Sequence, residues 1–373
     1  MRTCSMTRGV IMLNKDDKIP KYVQIAEYFK EKILNGSIGF GDKLMSESEI
    51  VEHFKVSRHT VRQALMQLEK EKFIYKEQGR GAFCCYKEKS RGSKNIAVLT
   101  TYISNYIFPP IISGIEEVLS SSGYTLSLYN TNNEKAKEGE YLKKIIDSEF
   151  SGLIIEPTMS ALANVNIELY KELEEKNIPY IMINAKYDEL KAAYVVMDDI
   201  AGGYGLTKFL LQMGHKNIVG IFKTDDLQGV KRQEGYLSAL DTAGIEIKEE
   251  YIGKYVTGQE SFLPYEFISN LLRKENKPTA VVCYNDQVAF YVLQAVRDAG
   301  LRVPEDISIV GYDDSDIATA TEVKLTTIRH PKEEMGRRVA RFLINMVEQG
   351  EKNPFFVYRP ELIVRNSASI PSK

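Results

Sequence analysis

The sequence predicts an α/β chain: a small winged helix-turn-helix at the N-terminus, then two doubly wound parallel-sheet subdomains with a central cleft. Three observations carry this. From Asn95 onward, β-branched apolar runs alternate with amphipathic stretches, the pattern of parallel strands covered by helices on both faces. Ahead of them, residues 20–85 hold three short helical periods and then two apolar runs around a Gly-containing turn. The charge is also divided. Residues 1–94 carry 19 Lys+Arg against 12 Asp+Glu, a net +7, and the remainder carries 30 against 39, a net −9. A basic small end on an acidic body points to a local polyanion-binding unit.

The 373 residues leave room for two or three domains, at about 150 residues each. An apolar content of 43% is ample for packed cores. The cysteines, Cys4, Cys84, Cys85 and Cys283, form no CxxC, and His53, His59, His215 and His330 form no HxxxH. No metal site and no cofactor is expected, and sparse unpatterned cysteines suit a reducing compartment. The stretch "GVIML" is too short for a signal-peptide core, and no 18-residue apolar run exists. A cytoplasmic protein with no membrane partner is expected. The bounds expected are 12–88 for the head, with Met12 as a candidate start, 89–94 for a polar linker and 95–373 for the body.

In the head, Tyr22, Ile25, Ala26, Phe29 and Ile33 share one face of a helix over 22–34, which "NGS" stops. "SESE" then offers a capping box, Ser46 with Glu49, ahead of Ile50, Val51 and Phe54. Ser57 caps a third helix, whose Val61, Ala64, Leu65 and Leu68 face inward. Arg58 and Arg62 lie one turn apart on its outer face, with His59, Thr60 and Gln63 beside them. This arrangement is a helix-turn-helix whose last helix offers donors from its N-terminal end, and Arg suits the major-groove edge of guanine. "KFIYKEQGRGAFCC" follows as a hairpin wing, with Arg80 at its tip and Gly79 and Gly81 permitting close backbone approach. Any one of these features is ordinary on a solvated surface; the ordered set is not.

Residues 20–85, through "VSRHTVRQAL" and "GRGAF", resemble a GntR-type winged helix. Met45 and Ala82 stand where that family commonly has Pro and Thr. The resemblance implies contacts to double-stranded operator DNA by Arg58, His59, Thr60 and Arg62 in the major groove. It also implies Gln78, Arg80 and Gly81 at the wing, with Lys21, Tyr22, Ser46 and Glu47 positioning the DNA backbone.

In the body, strand-like runs fall at 96–101, 125–130, 152–156, 179–184, 194–198, 217–222, 279–285 and 307–313. Helical stretches at 111–121, 201–213, 232–243 and 288–299 lie between. Ligands of such folds sit beyond the carboxyl ends of the strands. There the sequence places Glu156, Asn184, Asn285, Asp286 and Asp313, with Arg232 opening a helix after "TDDLQGVK". Carboxylates, amides and a guanidinium bind paired hydroxyls of a sugar. With no Trp, the aromatic cover falls to Tyr102, Tyr106 and Phe108. Blander roles compete: Asp314, Asp198 and Asp199 also suit helix caps, and Phe222 suits the core.

"GGYGLTKFLLQMGHKNIVGI", "KRQEGYLSAL", "YNDQVAFYVLQAVRDAGLRVPEDISIVGYDD" and "LTTIRHPKEEMGRRVARFLI" make residues 95–373 resemble the effector domain of LacI/GalR-type repressors, itself similar to periplasmic sugar-binding proteins. That resemblance implies sugar contacts by Arg232, Asn285 and Asp313, with Asn184 and Glu156 beside them. It implies a homodimer, and a helix in "PKEEMGRRVARFLINM" returning to the first subdomain. The pairing of head and body looks like the arabinose-responsive repressors, which implies L-arabinose as the effector and release from a pseudo-palindromic operator on binding it. A different sugar, a nucleoside or a purine is the alternative effector. Two other classes fit less well. An enzyme would need a nucleophile–base pair, a GxxxxGK[ST] loop, a strand–GxGxxG–helix or a GxSxG elbow, and none is visible. A transport-associated sugar-binding protein would not need the basic head.

Overall fold

The computed structural model describes residues 19–77, 79–86 and 94–372. It divides into two compact units, one ending at Gly92 and one beginning at Ser93. Met12, and the expected linker apart from Lys94, lie outside the described residues.

The first unit holds helices α1 (Lys21–Leu34), α2 (Glu47–Phe54) and α3 (Arg58–Lys70), then strands β1 (Ile74–Glu77) and β2 (Gly81–Cys84). The periodic apolar residues form its core: Ile25, Ala26, Phe29 and Ile33 from α1, Ile50 and Phe54 from α2, and Val61, Ala64, Leu65 and Leu68 from α3. Tyr22 and Val51 are only half-buried. The capping box is present: Glu49 N donates to Ser46 Oγ (3.3 Å) and Ser46 N to Glu49 Oε2 (2.7 Å). Lys55 leaves α2 in a left-handed conformation (φ 50°), and Ser57 Oγ then caps α3 by accepting from Thr60 N (3.2 Å). The hairpin is antiparallel, with Glu77 opposite Gly81, and Lys43 bridges Phe83.

The second unit has two lobes. Lobe 1 is a six-stranded sheet in the order β13-β7-β6-β5-β3-β4, every neighbouring pair parallel. Its strands are β3 (Asn95–Thr100), β4 (Thr125–Asn130), β5 (Gly152–Ile155), β6 (Tyr180–Ile183), β7 (Ala193–Met197) and the returning β13 (Phe355–Tyr358). Alternation decides its two faces. Ile96, Val98, Ile154 and Ile181 face α4 (Phe108–Ser121) and α12 (Lys332–Gln349). Ala97, Leu99, Leu153 and Ile155 face α5 (Lys135–Asp147) and α6 (Ile167–Glu175).

Lobe 2 is a four-stranded parallel sheet, β11-β10-β8-β9. Its strands are β8 (Ile218–Lys223), β9 (Ile252–Tyr255), β10 (Ala280–Cys283) and β11 (Ser308–Val310). It is covered by α7 (Asp199–Gln212), α8 (Leu227–Thr242), α9 (Leu263–Leu272) and α10 (Asp286–Asp298), with short α11 (Asp316–Ala320) beside them. An antiparallel ribbon, β12 (Thr327–Arg329) with β14 (Glu361–Ile363), lies against lobe 2, with Thr326 bridging Val310 and Arg329 bridging Asp313. The chain crosses between lobes three times: from β7 into α7, from β12 into α12, and from β13 into β14. As expected, α12 returns to lobe 1, where it packs on α4.

Strands β9, β12, β13 and β14 were not expected from the sequence. They are three or four residues long, and β13 is an edge strand supplied from far along the chain. Arg232 does not open its helix: α8 begins at Leu227 and Arg232 sits in its second turn. Gly229, in the first turn of α8, is required by contact, since a Cβ there would lie 2.0 Å from the Lys223 carbonyl oxygen. Glycines also set the α7/α8 crossing reciprocally. A Cβ on Gly203 would meet the Arg232 carbonyl oxygen, and one on Gly235 the Ile200 carbonyl oxygen, each at 2.1 Å. This close approach brings Arg232 within reach of Asp199.

Candidate functional site

The head presents most of the groups expected to contact DNA at its surface. Arg58 and His59 are exposed in the first turn of α3, and Arg62 one turn on. Arg62 Nε donates to Glu47 Oε2 (3.0 Å), which steadies the guanidinium from α2. The Thr60 hydroxyl lies 2.9 Å from Ser57 Oγ, so it serves the cap as well as the surface. Ser46 is likewise engaged, as the cap of α2. Lys21 is exposed at the start of α1 beside half-buried Tyr22. At the wing, Arg80 is exposed, donates to Glu77, and sits 5.8 Å from the Phe83 ring centroid. Gly81 has φ 116°, a conformation that side chains disfavour. Gln78 lies outside the described residues.

The cleft in the second unit is built differently. The carboxyl ends of both sheets face it. Tyr102, Tyr106, Phe108, Glu156, Asn184, Arg232, Asn285 and Asp313 all line it, around an empty volume of about 780 Å³ that is partly open to solvent. Asp286 does not line it, which corrects the sequence expectation. Its carboxylate is fully buried behind the pocket, accepting from Ser315 N (2.8 Å), Ser315 Oγ (2.9 Å) and Thr327 Oγ1 (2.7 Å). The neighbouring Asn285 is the N-cap of α10, bonded to Val288 N (2.9 Å), so the next residue turns into the protein. Burial and the nearby Asp313 push Asp286 up to about 7.

Arg232 organises the centre. It donates to Asp199 Oδ1 (2.8 Å) and to the Tyr284 carbonyl oxygen (2.8 Å), and lies 3.8 Å from Asp313 Oδ1. Its guanidinium packs 3.5 Å from the Tyr312 ring centroid. Burial pushes Asp199 up, partly offset by Arg232. Asp198, not Asp199, caps α7 through Ala201 N (3.0 Å). Tyr106, from the loop after β3, donates to Asp313 Oδ2 at the end of β11, joining the lobes across the cleft. Glu156 accepts from Thr101 N (3.1 Å) and Asn184 Nδ2 (2.8 Å). Burial raises it to about 7 despite those bonds. Asn184 (φ 65°) and Asp313 (φ 101°) both hold left-handed backbone, a strain that concentrates at binding sites.

Several lining groups were not singled out from the sequence. Lys223, the last residue of β8, pairs with Asp226 (2.6 Å); burial alone would lower it, but Asp226 and Asp225 together raise it. His330 is buried at the crossing from β12 to α12, and burial lowers it to about 3, so it is neutral. Lys223 could have been found as a strand-end residue, whereas His330 enters only through the crossover. Both cleft cations are therefore committed to carboxylates. Meanwhile Asn105 Oδ1, Asn184 Oδ1, Glu260 Oε2, Asp313 Oδ1 and His330 Nδ1 are buried cleft atoms without a hydrogen-bond partner. Unmet acceptors of this kind call for a ligand rich in donors. No cluster of three metal-binding side chains occurs among the described residues, and no helix there is long and apolar enough to cross a membrane.

Comparison with known proteins agrees with both halves. Residues 21–84 match the family described as bacterial regulatory proteins, gntR family. Residues 207–368 match the periplasmic binding protein-like domain. A LacI family transcriptional regulator from Enterococcus faecium with bound ribose is similar in structure, with TM-score 0.65 and 29% identity over 74% of this chain and 100% of that one. A CelR–cellobiose complex also matches, with TM-score 0.65 and 25% identity over 86% of this chain and 94% of that one. A gntR-type head on a periplasmic-binding-protein-like body defines a ligand-responsive bacterial transcription regulator. More closely, the chain is 49% identical to the arabinose metabolism transcriptional repressor of Geobacillus stearothermophilus, over 95% of this chain and 99% of that protein. It is 43% identical to that of Halalkalibacterium halodurans, over 94% and 96%. The chain belongs to the family of arabinose metabolism transcriptional repressors.

Proposed function

We propose that the protein is a cytoplasmic, homodimeric repressor of arabinose or pentose utilisation genes, and that L-arabinose in the cleft lowers its affinity for operator DNA. Residues 12–88 bind one half of a pseudo-palindromic operator, 89–94 link, and 95–373 bind the effector and dimerise. The recognition contacts are Arg58, His59, Thr60 and Arg62, with Arg80 and Gly81 at the wing. Tyr106, Glu156, Asn184, Arg232, Asn285 and Asp313 contact the sugar, under Tyr102 and Phe108. The protein acts by binding, without catalysis.

The observation that carries the effector reading is the charge state of the cleft. Arg232 and Lys223 are each neutralised by a carboxylate, and the unpartnered atoms are mostly acceptors. A neutral polyol donates to such a site from several hydroxyls, whereas a phosphorylated sugar would meet uncompensated negative charge. Effector release then requires a coupling between sites, typically about 1–3 kcal/mol.

Titration calorimetry with L-arabinose, D-ribose, cellobiose, an arabinose phosphate and a purine tests the ligand. Binding of L-arabinose alone is the expected result; preference for the phosphate or the purine would overturn it. Gel-shift titration with operator DNA tests the switch: L-arabinose should weaken binding about fivefold to 150-fold. Unchanged operator affinity at saturating sugar would exclude the repressor mechanism proposed here.

A further inference from the structure

Helix α8 carries Arg232, yet its own N-cap residue does not cap it. Asp226 makes no side-chain cap bond, because its carboxylate is taken by Lys223 (2.6 Å). The cap comes from the other lobe. Ser160, in the loop after β5, accepts from Leu227 N (2.9 Å), the first amide of α8. The same hydroxyl lies 3.5 Å from Gln228 Oε1, and Ala161 N donates to the Asp225 carbonyl oxygen (3.2 Å).

Beside it runs a second bridge. Asn133, only 2% exposed, donates through Nδ2 to Thr257 Oγ1 (2.7 Å) in lobe 2. Its Oδ1 accepts from Met159 N (2.8 Å) in lobe 1. Thr257 is itself held by Asp225, whose Oδ2 accepts from Thr257 N (2.9 Å). Asn133 (φ 56°) and Met159 (φ 42°) are both left-handed, so local preference does not explain the shape of this rim. The loop bearing Met159 and Ser160 is anchored from behind. Buried Glu138 accepts from Thr158 N (2.9 Å), Tyr170 OH (3.1 Å) and Tyr187 OH (3.0 Å). The loop's other end is Glu156, in the ligand cleft.

We propose that Ser160 and Asn133 are positioning residues: they form a latch between the lobes that caps α8 from across the cleft and so holds Arg232 in its binding position. When the cleft opens, α8 loses the cap on its first amide and the Thr257 hydroxyl loses Asn133. The latch holds before any ligand arrives, and a ligand that bridges the lobes keeps both bonds made. The latch thus lets cleft closure reach Arg232 through backbone order, without a direct contact. The role in effector affinity rests on the sugar-binding reading above; the latch itself does not.

The test uses the full chain in two measurements. Hydrogen exchange by mass spectrometry on the ligand-free protein reads the cap. Ser160→Ala should raise exchange in segment 226–230 about fivefold, the size of one lost cap, and Ser160→Thr should restore protection. Unchanged exchange in Ser160→Ala would overturn the proposal. Calorimetry with L-arabinose reads the coupling through Asn133→Ala, Thr257→Val and the double variant. Each single change should weaken binding about fivefold, and the double should be no weaker than the worse single, as for two halves of one contact. Effects that multiply, or unchanged affinity, would overturn the coupling. If the unaltered protein ignores L-arabinose, the effector reading fails and the exchange result alone decides the latch.

Discussion

The head and the cleft place charge in opposite ways. In the head, Arg58, Arg62 and Arg80 are exposed, and their ion pairs, where they have them, lie in water. In the cleft, Arg232 and Asp199 are 4% and 2% exposed. The difference follows from the proposed ligands. A duplex brings its own phosphates and needs donors standing free at a surface. A small neutral ligand supplies only hydroxyls, so its site must be shaped and desolvated before it arrives. Function and stability should therefore separate cleanly in the head and stay entangled in the cleft.

The largest effect expected is from Arg232→Ala. It removes the cation between Asp199 and Asp313, leaving buried carboxylates unpaired, a cost of about 3–5 kcal/mol. Calorimetric melting should show the body destabilised by that order, together with loss of sugar binding. A variant that loses the sugar but keeps its melting temperature would break the contrast, because the cleft would then behave like the head.

Leu68→Ala sharpens it from the other side. Leu68 is fully buried in the small head core. Its truncation should cost about 2–5 kcal/mol, abolish operator binding, and leave the melting transition of the body and its L-arabinose affinity unchanged. Arg58→Ala comes next. The side chain is exposed, so melting should not move, while specific operator binding should fall by about 1–3 kcal/mol. Arg62→Ala should show the same pattern, since its pair with Glu47 is exposed. Unchanged operator affinity in both variants would remove α3 as the recognition helix.

The contrast also explains what was legible in the sequence. Helix faces in the head, the Ser46–Glu49 capping box and the Ser57 cap are local, and they stand as expected. So do the main parallel strands, because a strand buried on both faces must be apolar throughout. The cleft is non-local. Strand ends can be placed by pattern, but whether a side chain turns into the cleft or behind it depends on its position in the turn. Asn285 and Asp286 are neighbours, yet the N-cap faces the pocket and the next residue faces Ser315 and Thr327. Ser160 and Asn133 were illegible for the same reason: their partners lie 67 and 124 residues away.

A pH dependence is also expected, from the cleft and from the carboxylate buried behind it. Burial holds Glu156 at about 7, against 4.5 for an unburied glutamate. Between those values the folded chain keeps a proton that the unfolded chain has lost, so its contribution to stability falls as pH rises through that window. Asp286, raised to about 7 from 3.8, acts in the same direction. His330 acts oppositely: held neutral down to about 3, it contributes stability above 6.5 that is lost as pH falls. Comparing the protein with Glu156→Gln isolates one group, since the amide does not titrate. The stability of the unaltered protein relative to that variant should decline between pH 5 and pH 7, by at most about 1.4 kcal/mol per pH unit. It should then level off. A constant difference from pH 5 to pH 8 would mean that Glu156 is ionised throughout. The cleft would then hold one more negative charge near neutral pH, and an effector still more strongly biased against anions.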